Sequence, residues 1–265
     1  ERVLHGKPES VMSTEPPHTG ISAAELSRVT GLIYDCAIDP GRWPKALEAI
    51  SQQIGACFAS IGLYDPSQRS IRLSKFWGDN PNIASVVESY ETKYAALMPF
   101  HDFMPFSVLD EPLNTEMMMT RSGRHDFYET PFYKEWAEPA GLKDVATTIL
   151  FRSETRFCII GLHTRVERDL VGPKELAIAR LFSPHVKRAV LISDMLDMRA
   201  LEASSMTSTL DLLSTAVILT DGRSHVIHPS RAARVMLDAS DPVQAMHDRL
   251  TVRDGAAGRY QKTAI

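Results

Sequence analysis

Cysteine is scarce in this chain: three residues among 265, Cys36, Cys57 and Cys158, each in an apolar or helical context. An odd, dispersed set is no disulfide framework, so the three are expected as buried thiols in a reducing compartment. Long apolar runs are also missing. No stretch approaches the length of a membrane span, and no signal peptide opens the chain. These readings together predict a soluble, cytoplasmic protein without membrane contact. Nor is there an excess of positive charge: 29 Lys and Arg stand against 33 Asp and Glu. A net charge of -4 argues against a nucleic-acid surface, since phosphate contacts need clustered cations.

Catalytic signatures are absent too. There is no Gly-x-Ser-x-Gly elbow, no cysteine with a convincing histidine partner and no i, i+4 histidine pair. Gly6-Lys7 lacks the spacing and preceding strand of a phosphate loop. The pairs His101-Asp102 and His125-Asp126 have metal-ligand chemistry, but adjacent residues do not easily face one ion, and they read as polar loop groups. The expectation is a protein that is not an enzyme, with no catalytic residues, no metal and no cofactor.

What is present is a globular composition, 44% hydrophobic and 23% charged. Residues 1–20, with Pro8, Pro16 and Pro17 and no periodicity, read as a disordered or tag-derived tail. Ser22 and Glu25 form a capping box for a helix with an apolar stripe of Leu26, Val29, Ile33 and Ala37. Asp39-Pro40-Gly41 ends it, and a second helix carries Trp43, Leu47, Ile50 and Ile54 up to Gly55. The period then shortens. Cys57–Tyr64 and Ile71–Trp77 read as one hairpin, Val145–Phe151 and Phe157–His163 as another. The fold class that follows is α+β, an antiparallel sheet flanked by helices.

Between the hairpins, Ile83 to Leu97 is helical, the stretch from Met98 to Met119 reads as loops and short turns, and a short helix near Thr130-Pro131 ends at Gly141. From Pro173 to about Ser204 one long helical pattern runs, which Pro184 must kink or divide. His185 beside it is expected to bond a carbonyl that the proline leaves free. Leu210–Thr220 reads as partly β, Val226-Ile227 as strand and Ser230–Leu237 as helix. The domains predicted are an α+β domain over 21–170, a connecting helix over 171–206 kinked near Pro184, and a partial second domain over 207–265.

The aromatic residues between and beside the hairpins are the candidate pocket, because small-molecule sites are mostly apolar and aromatic with a few orienting polar groups. The ligand-binding candidates are Tyr64, Trp77, Tyr90, Tyr94, Asp102, Phe103, Phe132, Trp136 and Thr148, with Thr147 as a further polar group.

Several separated stretches resemble one family. Ile33-Tyr34-Asp35-Cys36-Ala37, Asp39-Pro40 and Trp43-Pro44 resemble the opening of the GAF-like sensory region of LuxR-type bacterial transcription regulators. Phe127-Tyr128, Phe132 to Trp136 and Pro139 to Leu142 are similar to a second phrase of that region, and Phe182 to Ala189 to its Pro-His helix. Leu210 to Leu237, with Ala216 to Asp221 and Ala232-Ala233, resembles the PAS-type segment that follows. The resemblance implies a domain that senses a small-molecule signal, a homodimer formed through the 173–204 helix, and a C-terminal helix-turn-helix on promoter DNA. Two departures stand out. After Leu250 only a tail to Ile265 remains, so DNA binding is expected only through a domain outside these residues. The PAS-type segment also lacks its later strands and has Ser230 where many have Asn. Tyr90, Tyr94 and His101-Asp102-Phe103 loosely resemble the acyl-homoserine-lactone subgroup, but Phe103 stands where that pattern has Pro. Two other readings remain: a ligand-free dimerisation or interaction scaffold and, last, an enzyme of unrecognised type.

Overall fold

A computed structural model of the protein describes residues 19–65, 67–153 and 156–252, without the side chains of residues 73 and 74. Most of the expected N-terminal tail, residues 1–18, lies outside the described residues, as do Pro66 and Glu154-Thr155 in the two hairpin turns. Helix α1 (Ala23–Ile38) starts where the Ser22 hydroxyl accepts the amide hydrogen of Glu25, and it buries Val29, Ile33, Cys36 and Ala37. The Glu25 carboxylate, expected to close the box on Ser22, instead accepts from Arg28 and Gln53. Asp39 caps a single turn, Pro40–Arg42, and α2 (Trp43–Ile54) follows. Gly55 ends α2 at φ 71°, where a side chain would also collide with the Arg168 guanidinium that donates to the carbonyls of Ile54 and Gly55.

The period-two segments form four strands: β1 (Phe58–Asp65), β2 (Ser70–Gly78), β3 (Leu142–Arg152) and β4 (Phe157–Arg165). They pair antiparallel throughout in the order β2-β1-β4-β3. The reading of the sequence as α+β, an antiparallel sheet flanked by helices, holds. Between the hairpins lie α3 (Ile83–Ser89) and α4 (Thr115–Ser122). The sequence reading put loops and turns in this region as far as Met119, and α4 corrects that. Asn114 caps it by accepting from Met117, and Gly123 ends it in the left-handed conformation. Only Thr115 and Met118 of α4 are buried, too few positions to leave a periodic signal.

Helix α5 (Pro173–Asp211) is a single helix of 39 residues. It extends past Ser204, and Pro184 does not divide it. The proline removes one backbone donor, but Ile178, Ala179, Phe182, Val186 and Ala189 on both sides are buried and hold the helix to its layer. His185 also differs from expectation: its Nδ1 lies 3.2 Å from the Tyr34 hydroxyl on α1, ring edge against ring. Among the described residues no helix is long and apolar enough to cross a membrane.

The chain divides into two compact units, Glu1–Ser193 and Asp194–Ile265. Beyond α5, the second contains the hairpin β5 (Ile218–Thr220) with β6 (Val226–Pro229), helix α6 (Arg231–Ala239), and the hairpin β7 (Val243–Met246) with β8 (Arg249–Val252). The last hairpin corrects the expectation that later strands are missing; four alternating residues a side give too brief a pattern to read. Its backbone joins the first hairpin through Val226 to Asp248 and Leu250 to Ser224. Ser230 caps α6 and also accepts from the Val217 amide, which ties β5 to that helix.

Candidate functional site

The sheet has two unlike faces. On one, α1, α2 and the first half of α5 pack against Ala59 and Ile61 of β1, Ala146 and Leu150 of β3, and Cys158, Ile160 and Leu162 of β4. On the other, residues 83–140 pack against Phe58, Tyr64, Ile71, Leu142, Ile149, Phe157 and Ile159. This second layer is irregular. Two π-helical turns, Tyr90–Tyr94 and Tyr133–Ala137, interrupt it, and such turns gather at functional sites because they re-aim side chains. Both hold large buried aromatic residues, Tyr90 in the first and Tyr133 and Trp136 in the second.

Between the sheet and this layer lies a cavity of about 80 Å³. The sheet contributes Phe58 and Ser60 from β1, Ile71 from β2, Leu142 to Val145 and Thr147 from β3, and Ile159, Gly161 and His163 from β4. The irregular layer contributes Tyr90, Met98, Phe100, Met104, Thr115, Met118, Phe127, Phe132, Trp136 and Ala137. Its aromatic wall is fixed by ring contacts. Tyr90 and Trp136 lie 4.7 Å apart by centroids, Phe132 and Trp136 5.2 Å, and Phe100 stacks on Phe127 at 5.5 Å. The Trp136 indole N–H donates to the Val86 carbonyl. Three methionines, unbranched and adaptable, complete the wall.

The polar groups at this cavity differ sharply in how they are satisfied. Asp144, buried at 3% exposure, accepts three backbone amides: Thr115 at 3.0 Å and Val145 at 2.7 Å on one oxygen, Val171 at 2.7 Å on the other. Asn114 donates to the Val171 carbonyl at 2.7 Å while it caps α4. These two side chains lock the start of α4 to the residue just ahead of α5. The ammonium of Lys143 donates to the Arg168 carbonyl. By contrast, the Thr115 hydroxyl is fully buried and has no partner. The Tyr90 hydroxyl reaches only the Met98 thioether at 3.8 Å, a weak acceptor; burial pushes its pKa up. The His163 ring stacks on Phe58 at 5.1 Å and leans over Gly161, where a Cβ would come within 3.1 Å of its Nε2. Burial pushes the His163 pKa down to about 4, so the ring is neutral at pH 7.

Of the sequence candidates, Tyr90, Phe132 and Trp136 come together on the cavity wall. Tyr64, buried on β1 beneath the irregular layer, stacks with His101 and lies tilted against Phe157, and its hydroxyl bonds His101 Nδ1. Tyr94 and Phe103 pack at the edge of that layer. Asp102 is exposed and faces Arg69 at 3.4 Å. Trp77 and Thr148 lie on the helical face instead. Trp77 packs into the helical core, and the Thr148 hydroxyl accepts from Ser183 of α5 at 3.3 Å. The register of β2 explains the first: it steps from Ile61 opposite Lys75 to Gly62 opposite Leu73. One extra residue inverts the alternation, so Ile71 and Trp77 face opposite ways despite an even spacing. Simple alternation explains the second, since Thr147 takes the cavity side. The sequence candidates omitted Thr115, His163 and the methionines. His163 was legible from its even spacing to Ile159; Thr115 was not, because α4 was unread.

All three cysteines are buried, and burial pushes the Cys36 and Cys57 thiols up to about 11, where they stay protonated. His101 is buried, its pKa lowered by burial, while Asp126 pairs with Arg124 on the surface. Among the described residues no group of three His, Cys, Asp or Glu could hold a metal ion.

No known family profile matches the sequence, and no curated protein matches it. Solved structures do match in fold. The LBD domain of VqsR from Pseudomonas aeruginosa aligns at a TM-score of 0.51 with 15% identity, over 66% of this chain and 98% of that one. The GAF domain of a phosphoenolpyruvate-protein phosphotransferase from Coxiella burnetii aligns at 0.45 with 12% identity, over 67% of this chain and 99% of that one. At these identities the likeness to the VqsR domain describes architecture, and the second lies below the score at which fold alone is argued.

Proposed function

We propose that this chain is the signal-sensing module of a bacterial transcription regulator, binding a small molecule in the cavity between the sheet and the aromatic layer, without catalysis. One observation carries the reading. The cavity is walled by rings and methionines, yet it keeps a buried hydroxyl that has no partner, and such a group is costly unless something completes its bonding. The likeness in fold to a domain named as an LBD supports a binding role, and the phrases resembling LuxR-type regulators supply the regulatory one.

The relay follows from Asp144 and Asn114. A ligand that moves α4 through Thr115 or Met118 pulls on Val171, and hence on the first turn of α5. Further along α5, Ile192, Leu196, Ala203 and Met206 recur at steps of four, seven and three residues, with Arg199 at the intervening position; Leu196 is 46% and Met206 56% exposed. That is a seam suited to a second copy of the helix, through which the change reaches a DNA-binding domain.

Native mass spectrometry of the protein purified from its own cells tests both parts. The expected spectrum shows a dimer with a small molecule bound. A monomer would remove the relay. A dimer with nothing bound, whose Trp136 fluorescence no cell extract alters, would favour the ligand-free scaffold.

A further inference from the structure

We infer that the ligand is a compact, uncharged, single-ring molecule bearing one hydrogen-bonding oxygen that pairs with the Thr115 hydroxyl. This rests on the sensing reading above and adds the chemical class. Size is the first ground. Pockets for drug-sized ligands run to roughly 300–1,000 Å³, and a dry cavity of roughly 150 Å³ holds benzene. At about 80 Å³ this cavity is smaller than either. A single ring enters only if the flexible side chains of Met98, Met104 and Met118 swing aside, and a long acyl chain needs far more room.

Charge is the second ground. The charged or titratable groups lining the cavity are Lys143, Asp144, Tyr90 and His163. The Lys143 ammonium is turned to a backbone carbonyl, and both Asp144 oxygens already accept backbone amides. The histidine stays neutral in its stack on Phe58. An anion would meet the Asp144 charge, while the lining cation, Lys143, is turned to the Arg168 carbonyl. A cation would have to compete with three amides for the carboxylate, and either ion loses its hydration on entry. Shape is the third ground. Stacked and edge-on rings of Phe100, Phe127, Phe132, Tyr90 and Trp136 form a wall that a planar ring complements. Among the described residues that line the cavity, Thr115 is the one with a buried hydroxyl lacking a partner.

Calorimetric titration of the full chain with phenol, benzyl alcohol, toluene, benzoate, benzylamine and a long-chain acyl-homoserine lactone tests the class. Phenol or benzyl alcohol is expected to bind about fivefold tighter than toluene, the usual worth of one net hydrogen bond, with no heat from the ions or the lactone. T115V should bring the alcohol and toluene to about equal affinity, and T115S should restore the difference. If T115V does not fold, the wild-type series and T115S still decide. Tighter binding of benzoate, benzylamine or the lactone overturns the class and leaves the sensing reading in place. So does silence from the whole series when the native spectrum holds a bound molecule. Silence in both experiments overturns the class and the sensing reading together.

Discussion

The two faces of the central sheet obey different rules. The helical face is built mainly from Ala, Val, Leu and Ile on regular helices, with Val29, Ile33, Ala46, Leu47, Ile50, Val186 and Ala189 wholly buried and Trp43, Phe182 and Trp77 as its rings. Its Ser183 hydroxyl is paired with Thr148 and with the Ala179 carbonyl, while those of Thr30 and Ser51 are buried without a partner. The other face is built from rings and methionines on turns and short helices, and it leaves a cavity lined by the unpartnered Thr115. Regular packing is what a stability role demands, whereas an irregular wall of adaptable side chains is what a binding role tolerates. The same sheet serves as a foundation on one side and as the floor of a site on the other.

Substitutions across that divide should separate stability from binding. The largest effect is expected at the junction between the site and α5. D144A leaves three buried amides without an acceptor, and at about 1–3 kcal/mol for each unsatisfied group it should cost at least 3 kcal/mol in urea denaturation. A loss below 1 kcal/mol would show that the clamp between Thr115 and Val171 is not what holds α4 to α5. On the helical face, I50A should cost about 2–5 kcal/mol by transfer and cavity terms, with the ligand profile unchanged. On the cavity face, M118L conserves volume and should cost less than about 1.5 kcal/mol, while it alters affinity for the ring-bearing probes. Equal stability losses for these two would erase the distinction between the faces.

Acid supplies a subtler contrast. His163 has its folded pKa depressed to about 4 from an ordinary 6.5, so the unfolded chain binds its proton first as pH falls. Its contribution to stability is whole above pH 6.5 and is lost progressively toward pH 4. H163F should therefore flatten the fall in denaturation midpoint across that window relative to wild type. If the two curves stay parallel from pH 7 to 4, the ring is not held neutral by burial. The smallest effect is expected from T148V, which removes one acceptor from a Ser183 hydroxyl that keeps the Ala179 carbonyl. A loss of at most about 1 kcal/mol should appear, with binding untouched.

The same divide governs what the sequence made legible. The helical face followed from three- and four-residue spacing, and both hairpins from alternation, because regular elements repeat their burial. The site face followed only in composition. Tyr90, Phe132 and Trp136 were recognisable as a group of rings, but nothing in their spacing revealed the π-helical turns that hold two of them. Trp77 went to the wrong face because one extra residue in β2 inverts the alternation, and no local signal marks such a bulge. Thr115 stayed hidden because α4 buries two residues, and its legible marks, Asn114 and Gly123, are caps without a stripe between them.

The most direct test labels the methionine methyls and follows them by NMR during a phenol titration. Shifts at Met98, Met104 and Met118, with Met195 and Met198 of α5 following at the same ligand concentration, are the expected result. Shifts that leave those three cavity methionines untouched would contradict the account.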